Sequence, residues 1–213
     1  MDEVDRRRTG RPRDPQIRSK VLLAAQRVYT LSGLPGFTFE AIAREAGVGK
    51  PAVYRRWSST EELMADVLQS HMLVPAEASS GDIRGQLIEI AMATLRLLHS
   101  EQGTFVLRVS SERESNSAMF GRYFEHLRGA IHLHNRGLLV AAIDRGELAP
   151  TTDPDLVLQA ITGAVLVGTL MAMTPSPTAD PDAADTYCRR LVDQVLDGAT
   201  QSLTQRSEKP PVR

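Results

Sequence analysis

Cysteine and metal-binding patterns are nearly absent from this sequence. Cys188 is the only cysteine among 213 residues, which excludes an internal disulfide, and neither cysteine nor histidine stands at the spacing of a zinc site. The sequence also lacks the Glu-x-x-His pairs of di-iron bundles, glycine-rich phosphate loops and nucleophile-elbow motifs. We therefore expect no metal, no cofactor and no catalytic residue, so a helical-bundle enzyme is the weaker interpretation.

Long apolar runs are also scarce. Residues 156–173 run for 18 positions without a charge, close to the lower limit of about 17 residues for a membrane span. Acids precede this run, Gln159 and Thr162 interrupt it, and no flanking lysine or arginine marks a cytoplasmic side. We expect a buried helix of a soluble protein. Residues 1–6 are charged and lack the apolar run of a signal peptide, so we expect a cytoplasmic location.

The net charge of −1 indicates no particular partner, but the charges are unevenly distributed. Residues 1–62 carry 12 lysines or arginines and 8 aspartates or glutamates, which leaves 13 and 18 for residues 63–213. A basic front followed by an acidic remainder is typical of a chain that binds nucleic acid at one end.

Apolar residues recur with helical spacing along the whole chain, so we predict an all-α fold. A three-helix helix-turn-helix domain of residues 14–75 is expected behind a basic, flexible arm of residues 1–13. A polar connector, residues 75–81, leads to a helical domain of residues 82–203, and residues 204–213 are expected to form a disordered tail. Within the second domain we predict helices near residues 83–98, 104–113, 117–146, 156–173 and 180–203.

Residues 38–57 have the composition of a helix-turn-helix. Thr38 can cap a short helix, Gly47 permits a positive φ in the turn, and Ala43 is small where the two helices cross. Cations, a hydroxyl and a methyl group then face outward from the second helix, and such groups read base edges and hold phosphates in a major groove. They belong to Lys50, Ala52, Tyr54, Arg55 and Arg56.

This segment resembles the TetR (AcrR-like) family of one-component transcriptional regulators. The similarity covers about residues 15–75 and lies in Gly36-Phe37-Thr38, Ile42-Ala43-x-x-Ala46-Gly47-Val48 and Pro51-x-x-Tyr54-x-x-Trp57. The resemblance implies a sequence-specific DNA-binding regulator, usually a repressor, that a small, largely apolar effector releases from its operator. The alternative is a ligand- or protein-binding module of the same fold that does not act through DNA.

The resemblance also implies DNA contacts at individual positions. Thr38 and Tyr54 correspond to residues that hold phosphates, while Lys50 and Arg55 are the candidates for reading bases, preferably guanine. The DNA-facing positions of the recognition helix are, in this chain, Lys50, Pro51, Ala52, Tyr54, Arg55 and Arg56.

Two departures from the family pattern weaken the expected contact with DNA. The family often has serine where Gly49 caps the recognition helix, and glycine is a poorer cap. It commonly has lysine at the position of Thr60, which can bond a phosphate but adds no charge. The arginine arm offers compensation, because Arg11 and Arg13 flank a Gly-Arg-Pro segment that looks like an AT-hook for an A·T-rich minor groove. A solvated basic tail is the other interpretation of the arm.

The second domain offers candidates for an effector pocket. The helix expected at residues 117–146 carries an apolar stripe of Phe120, Phe124, Leu127, Ile131, His134, Leu138 and Ala141. From this stripe and from neighbouring helices we take as pocket candidates Met64, Leu95, Leu98, Phe120, Phe124, Leu127 and His134. The same residues could equally form core, and a hydrogen-bonded core histidine is the competing interpretation of His134.

The resemblance further implies a homodimer. In the family the last two long helices pair with their twofold mates, and residues 153–173 and 180–203 occupy those places here. A dimer would hold two recognition helices about one or a few turns of double-stranded DNA apart, which predicts a palindromic operator. Effector binding would then favour a spacing that does not fit DNA.

Overall fold

The computed structural model describes residues 15–71 and 81–207. Every regular element in these residues is a helix, which confirms the predicted all-α fold. The chain divides into two compact units, Met1–Ser70 and His71–Arg213. The predicted arm, the connector up to residue 80 and residues 208–213 lie outside the described residues.

The N-terminal unit contains helices α1 (Pro15–Gly36), α2 (Phe39–Glu45), α3 (Lys50–Tyr54) and α4 (Thr60–Ser70). Gly33 interrupts the helical backbone of α1 with a φ of 64°, a conformation that glycine adopts without steric cost. All four helices contribute side chains to one core, including the fully buried Val21, Ala25, Tyr29, Ile42, Val53, Leu63 and Val67. Burial of each large apolar side chain is worth about 1.5–3 kcal/mol, so this core holds α2 and α3 against their neighbours.

The C-terminal unit contains α5 (Ile83–Leu98), α6 (Glu101–Ser111), α7 (Ser117–His126), a π-helical segment (Leu127–His132), α8 (Leu133–Asp144), α9 (Pro154–Leu170) and α10 (Pro181–Ser207). Four of these helices begin with a side-chain cap, because Asp82, Ser100, Asp153 and Asp180 accept hydrogen bonds from backbone N–H groups of the first turn. The core of the unit lies among α5, α8, α9 and α10.

The prediction of one unbroken helix over residues 117–146 is wrong, because the π-helical segment divides this stretch into α7 and α8. A π turn closes over one residue more than an α turn, so the buried face advances by one position after it. Phe120 is buried before the segment, but Leu139 and Ala142 are buried after it, where the stripe predicted Leu138 and Ala141. Regular 3.6-residue spacing cannot register this inserted residue.

Helix boundaries also differ from the prediction: α9 runs from Pro154 to Leu170 instead of residues 156–173, and α6 and α10 differ as well. Ser100 caps α6 by accepting a hydrogen bond from the Gly103 N–H, so the helix begins at Glu101 and not near residue 104. At the other end of the unit, α10 continues to Ser207, beyond residue 203. The cap by Ser100 determines where α6 begins. The end of α10 differs because helix ends predicted from sequence are commonly off by a few residues.

Helix α9 is apolar around most of its circumference, and the residues that the structure describes cover only one of its faces. Val157, Ile161 and Val165 are buried in the core of the unit, whereas Val167 is 55% and Leu170 60% exposed. In the described part of the chain, no helix has both the length and the apolarity that crossing a membrane requires.

Candidate nucleic-acid interface

The turn between α2 and α3 has the geometry of a helix-turn-helix. Gly47 has a φ of +64°, which a side chain would strain. The chain then reverses so tightly that the Val48 N–H donates to the Ala43 carbonyl at 3.0 Å. Ala43 is 2% exposed and Val53 is fully buried, so small and branched apolar side chains fix the angle between the two helices.

Thr38 caps α2 in the way that the sequence predicts. Its Oγ1 accepts a 3.2 Å hydrogen bond from the backbone N–H of Ala41. A hydroxyl that accepts through its oxygen keeps its own proton for donation. Because Thr38 is exposed, its O–H remains available to a phosphate oxygen at the start of α2.

Helix α3 is short and begins without a side-chain cap. Gly49 occupies the N-cap position and forms no capping hydrogen bond, while Pro51 lies in the first turn, where its missing N–H costs nothing. Val53 points inward, whereas Lys50, Pro51, Tyr54 and Arg55 are exposed and Ala52 and Arg56 are half-buried. Four of the six proposed recognition positions therefore lie in α3, Arg55 and Arg56 follow it directly, and four of the six are open to solvent.

The two arginines that directly follow α3 differ in their surroundings. Arg56 Nη1 donates to the carbonyl oxygen of Ala52 at 3.2 Å, which ties its guanidinium to its own helix. The Arg55 guanidinium forms no hydrogen bond or ion pair with any residue in the described ranges. Arg55 thus offers all five of its N–H donors to an external acceptor.

Glu40 is a member of this surface that the sequence analysis missed. Its Oε1 accepts a hydrogen bond from Lys50 Nζ at 3.3 Å and another from Tyr54 Oη at 3.2 Å. The backbone N–H of Glu40 itself, then the Lys50 ammonium and the Tyr54 hydroxyl, lower the pKa of the Glu40 carboxyl from its ordinary 4.5. A carboxylate thus bridges α2 to both ends of α3. An acid in the first turn of α2, before the cations of α3, was the only signal in the sequence.

An aromatic contact holds Tyr54 from the other side. The Tyr54 ring lies edge-on to Phe39, with ring centroids 4.8 Å apart and an interplanar angle of 81°. Tyr54 is nevertheless 53% exposed, so its ring is positioned but not buried. Edge-to-face pairs of this kind are worth about 0.5–1.5 kcal/mol beyond the buried area.

Helix α4 supports the end of the recognition helix. Trp57 is 2% exposed, and its Nε1 donates to Asp66 Oδ2 at 2.9 Å. The start of α4 carries a modified capping box, because two serines take part in it. Ser59 Oγ accepts a hydrogen bond from the Glu62 N–H, and the Glu62 carboxylate accepts hydrogen bonds from the N–H and hydroxyl of Ser58.

The remaining DNA-contact candidates have different surroundings. Thr60 begins α4 and its Oγ1 donates to Glu61 Oε2 at 3.4 Å, a long bond that a phosphate oxygen could replace. Arg11 and Arg13 lie outside the described residues.

The pocket candidates have different surroundings within their own units. Met64 is fully buried in the N-terminal unit, and Leu95 and Phe120 are fully buried in the C-terminal one. Leu98 packs at the edge of the C-terminal core. Phe124 and Leu127, by contrast, line the same open cleft of about 650 Å³, together with Arg113, Glu114, Gly121, Glu125 and His132.

Two buried polar atoms lie in the same stretch of chain as this cleft. Nε2 of His134 and the hydroxyl of Tyr123 are buried without a hydrogen-bond partner among the described residues. Burial raises the pKa of Tyr123 to about 12, so the hydroxyl keeps its proton. Tyr123 is not among the residues predicted from the sequence, because a tyrosine on an apolar helix face gives no sign that its hydroxyl lacks a partner.

Two family profiles match the chain. The profile described as "Bacterial regulatory proteins, tetR family" matches residues 21–67, which include the helix-turn-helix. The profile described as "Tetracyclin repressor-like, C-terminal domain" matches residues 77–195, more than half of the chain.

Relatives match the chain over most of its length. The uncharacterized HTH-type transcriptional regulator YdeS of Bacillus subtilis is 27% identical over 203 residues, which are 91% of this chain and 98% of that protein. The HTH-type transcriptional regulator AqdR of Rhodococcus erythropolis is 27% identical over 180 residues, 81% of this chain and 83% of that protein.

Solved structures share the fold. The repressor MexZ of Pseudomonas aeruginosa superposes with a TM-score of 0.69 at 20% identity, covering 87% of this chain and 96% of MexZ. The transcriptional regulator FadR of Bacillus subtilis, solved with stearoyl-CoA, superposes with a TM-score of 0.60 at 17% identity. The match covers 84% of this chain and 98% of FadR. With both of its units matched by the family profiles, the chain belongs to the TetR family of bacterial regulatory proteins and is a helix-turn-helix transcriptional regulator.

Proposed function

We propose that this regulator is a cytoplasmic, homodimeric repressor that binds a palindromic operator through α3 and leaves it when a small, largely apolar effector binds the C-terminal unit. The observation that carries the proposal is the exposed face of α3. Lys50 and Arg55 offer cationic donors there, on a helix whose opposite side is anchored by the buried Val53. A short helix held rigidly by its inner face and cationic on its outer face suits a major groove.

The contacts with DNA divide into positioning and reading. Thr38 and Thr60 are the proposed phosphate ligands at the starts of α2 and α4, since backbone contacts fix the register of a protein on the duplex. Arg55 is the proposed principal reader, because its guanidinium is unpaired within the described residues and matches the two acceptors of guanine. Pro51 and Ala52 offer apolar contact at the start of the helix.

The exposed face of α9 supports the proposed homodimer. Leu156 is 63%, Val167 55% and Leu170 60% exposed, although a monomer rarely leaves apolar side chains together in solvent. An open groove of about 1130 Å³ continues this surface along α10, with Met173, Tyr187 and Leu191 among its lining residues. A second copy that pairs α9 and α10 with their twofold mates would cover both.

Apolar and polar features of the C-terminal unit support the proposed effector. Phe124 and Leu127 give the 650 Å³ cleft an apolar wall, and its volume lies within the range of about 300–1,000 Å³ for small-molecule sites. The buried hydroxyl of Tyr123 and Nε2 of His134 would gain hydrogen bonds from a ligand that carries a polar group. FadR of Bacillus subtilis, which has the same fold, was solved with stearoyl-CoA, and this supports an effector with a long apolar part.

A gel-shift measurement tests the proposed function. The full chain is titrated onto DNA from upstream of its own gene and onto an unrelated duplex of equal length, with and without stearoyl-CoA or fatty acids as probes. We expect tight binding to the first duplex and release by an apolar compound. Equal, weak binding to both duplexes would instead favour a module that binds ligands or proteins without acting through DNA.

A further inference from the structure

We propose that Glu40 is a specificity-determining residue of the DNA-binding surface: its carboxylate positions Lys50 for base reading and penalises DNA that is not the operator. The inference rests on the proposed function of α3 as the recognition helix. It goes further by assigning a role to an acidic residue on α2, where a negative charge opposes the binding of phosphates in general.

Glu40 holds the ammonium group of Lys50 through a single hydrogen bond. A lysine is a point charge on a flexible four-carbon stem, so by itself it fixes no direction of donation. Its Nζ donates one hydrogen bond to Glu40 Oε1 at 3.3 Å, and an ammonium has three donors. The side chain stays 59% exposed in this arrangement. Two donors of a positioned ammonium are therefore left for the O6 and N7 acceptors of a guanine.

Tyr54 is held by the same oxygen. Its hydroxyl has one proton, and that proton is donated to Glu40 Oε1 at 3.2 Å. While this bond is intact, the hydroxyl has no proton left to donate to a phosphate. The edge-on contact with Phe39 keeps the ring in place, so Glu40 and Phe39 together fix a side chain that is otherwise half in solvent.

The charges explain the penalty on other DNA. Binding to arbitrary sequence depends on phosphates neutralised by lysine and arginine, and each one contributes about −0.9 to the slope of log K against log salt. With Glu40 paired to Lys50, the two charges cancel at the N-terminal end of α3. Random DNA then meets a neutral pair, whereas an operator that presents guanine acceptors to Lys50 gains two hydrogen bonds from the positioned ammonium.

The experiment compares two affinities in matched variants. Binding of the full chain to its own upstream duplex and to a random-sequence duplex of equal length is measured over a range of salt concentrations. The variants are wild type, Glu40→Gln and Glu45→Gln. Glu45 is an exposed acid at the other end of α2 and has no ion-pair partner in the described residues, so its removal reports the effect of charge alone.

We expect Glu40→Gln to bind random DNA more tightly, with a slope of log K against log salt that is steeper by about 0.9. The ratio of the affinity for the upstream duplex to that for random DNA should fall about two- to fivefold, which corresponds to the free energy of an exposed ion pair. Glu45→Gln should keep the ratio of the wild type. In a Lys50→Ala background, Glu40→Gln should no longer change the ratio, because Glu40 acts through Lys50.

An unchanged ratio in Glu40→Gln, an equal loss in Glu45→Gln, or a loss that persists in the Lys50→Ala background would each overturn the inference. Failure of the proposed function gives a different result, since the wild type itself would then bind both duplexes equally. Both glutamate side chains are exposed, so the fold is retained, and circular dichroism verifies this.

Discussion

The indole nitrogen of Trp57 donates a 2.9 Å hydrogen bond to Oδ2 of Asp66, which joins the segment between α3 and α4 to α4. The same oxygen accepts a hydrogen bond from Arg18 Nη2 at 2.9 Å, so α1 is connected to the same point. Trp57 is buried, and its N–H has a partner only as long as Asp66 is present.

Asp66→Ala should therefore destabilise the N-terminal unit. It leaves a buried N–H unsatisfied, which costs about 1–3 kcal/mol. Denaturant unfolding followed by the fluorescence of Trp57, the only tryptophan, measures the change. Arg18→Ala is the control, because Arg18 is 54% exposed and such pairs contribute about 0–1 kcal/mol. Equal unfolding midpoints for Asp66→Ala and wild type would contradict this assignment.

Arg55→Ala should weaken operator binding by about 1–3 kcal/mol and relax the base preference at one position of each half-site. The guanidinium has no partner in the described ranges, so its removal leaves no protein group unsatisfied and the unfolding midpoint should stay unchanged. Arg122→Ala, an exposed arginine of the C-terminal unit, is the control of equal charge. Binding titrations on a set of single-base operator variants check both effects, and a uniform loss over all variants would mean that Arg55 holds a phosphate instead.

Some features of this surface follow from neighbouring residues in the sequence, and others depend on residues far apart in the chain. The cap by Thr38 and the positive φ of Gly47 follow from short-range backbone requirements, so the sequence alone predicts them. The bonds from Lys50 and Tyr54 to Glu40 span 10 and 14 residues. They depend on the angle at which α2 and α3 pack, which no local pattern specifies.

The same distinction holds for the fold. The apolar stripes predict the helices and their order, because burial of one face decides where each helix lies. The π-helical segment Leu127–His132 escapes prediction, since it changes the spacing by one residue only and is chosen by packing on both sides. For this reason the apolar stripe predicts the buried residue correctly at Phe120, but after the π-helical segment it predicts Leu138 where the neighbouring Leu139 is buried.

Deletion of residues 1–13 should weaken operator binding and make its salt dependence less steep. The arm carries Arg11 and Arg13 next to Pro12, and the slope falls by about 0.9 for each phosphate that the shortened chain no longer neutralises. Any preference for A·T pairs beside the half-sites should disappear in the same variant. The salt titration is repeated on duplexes with A·T-rich and G·C-rich flanks. Unchanged affinity and slope would identify the arm as a solvated tail.

Replacing Val167 and Leu170 together by glutamate should convert the proposed homodimer to monomers. Both side chains are more than half exposed in the single chain, so the double variant should fold, but four buried carboxylates at a twofold interface are prohibitive. Leu133→Glu is the control, because Leu133 is 58% exposed on α8, outside the proposed interface. Sedimentation equilibrium gives the mass of each species, and a double variant that remains dimeric would place the interface elsewhere.

Selection of bound duplexes from a pool of random DNA tests the central proposal most directly, because it reports binding, symmetry and spacing together. We predict that the full-length protein enriches an inverted repeat with half-sites about one or a few helical turns apart. Enrichment of a single unpaired half-site, or no enrichment over the starting pool, would contradict the account of a dimer that reads DNA with two copies of α3.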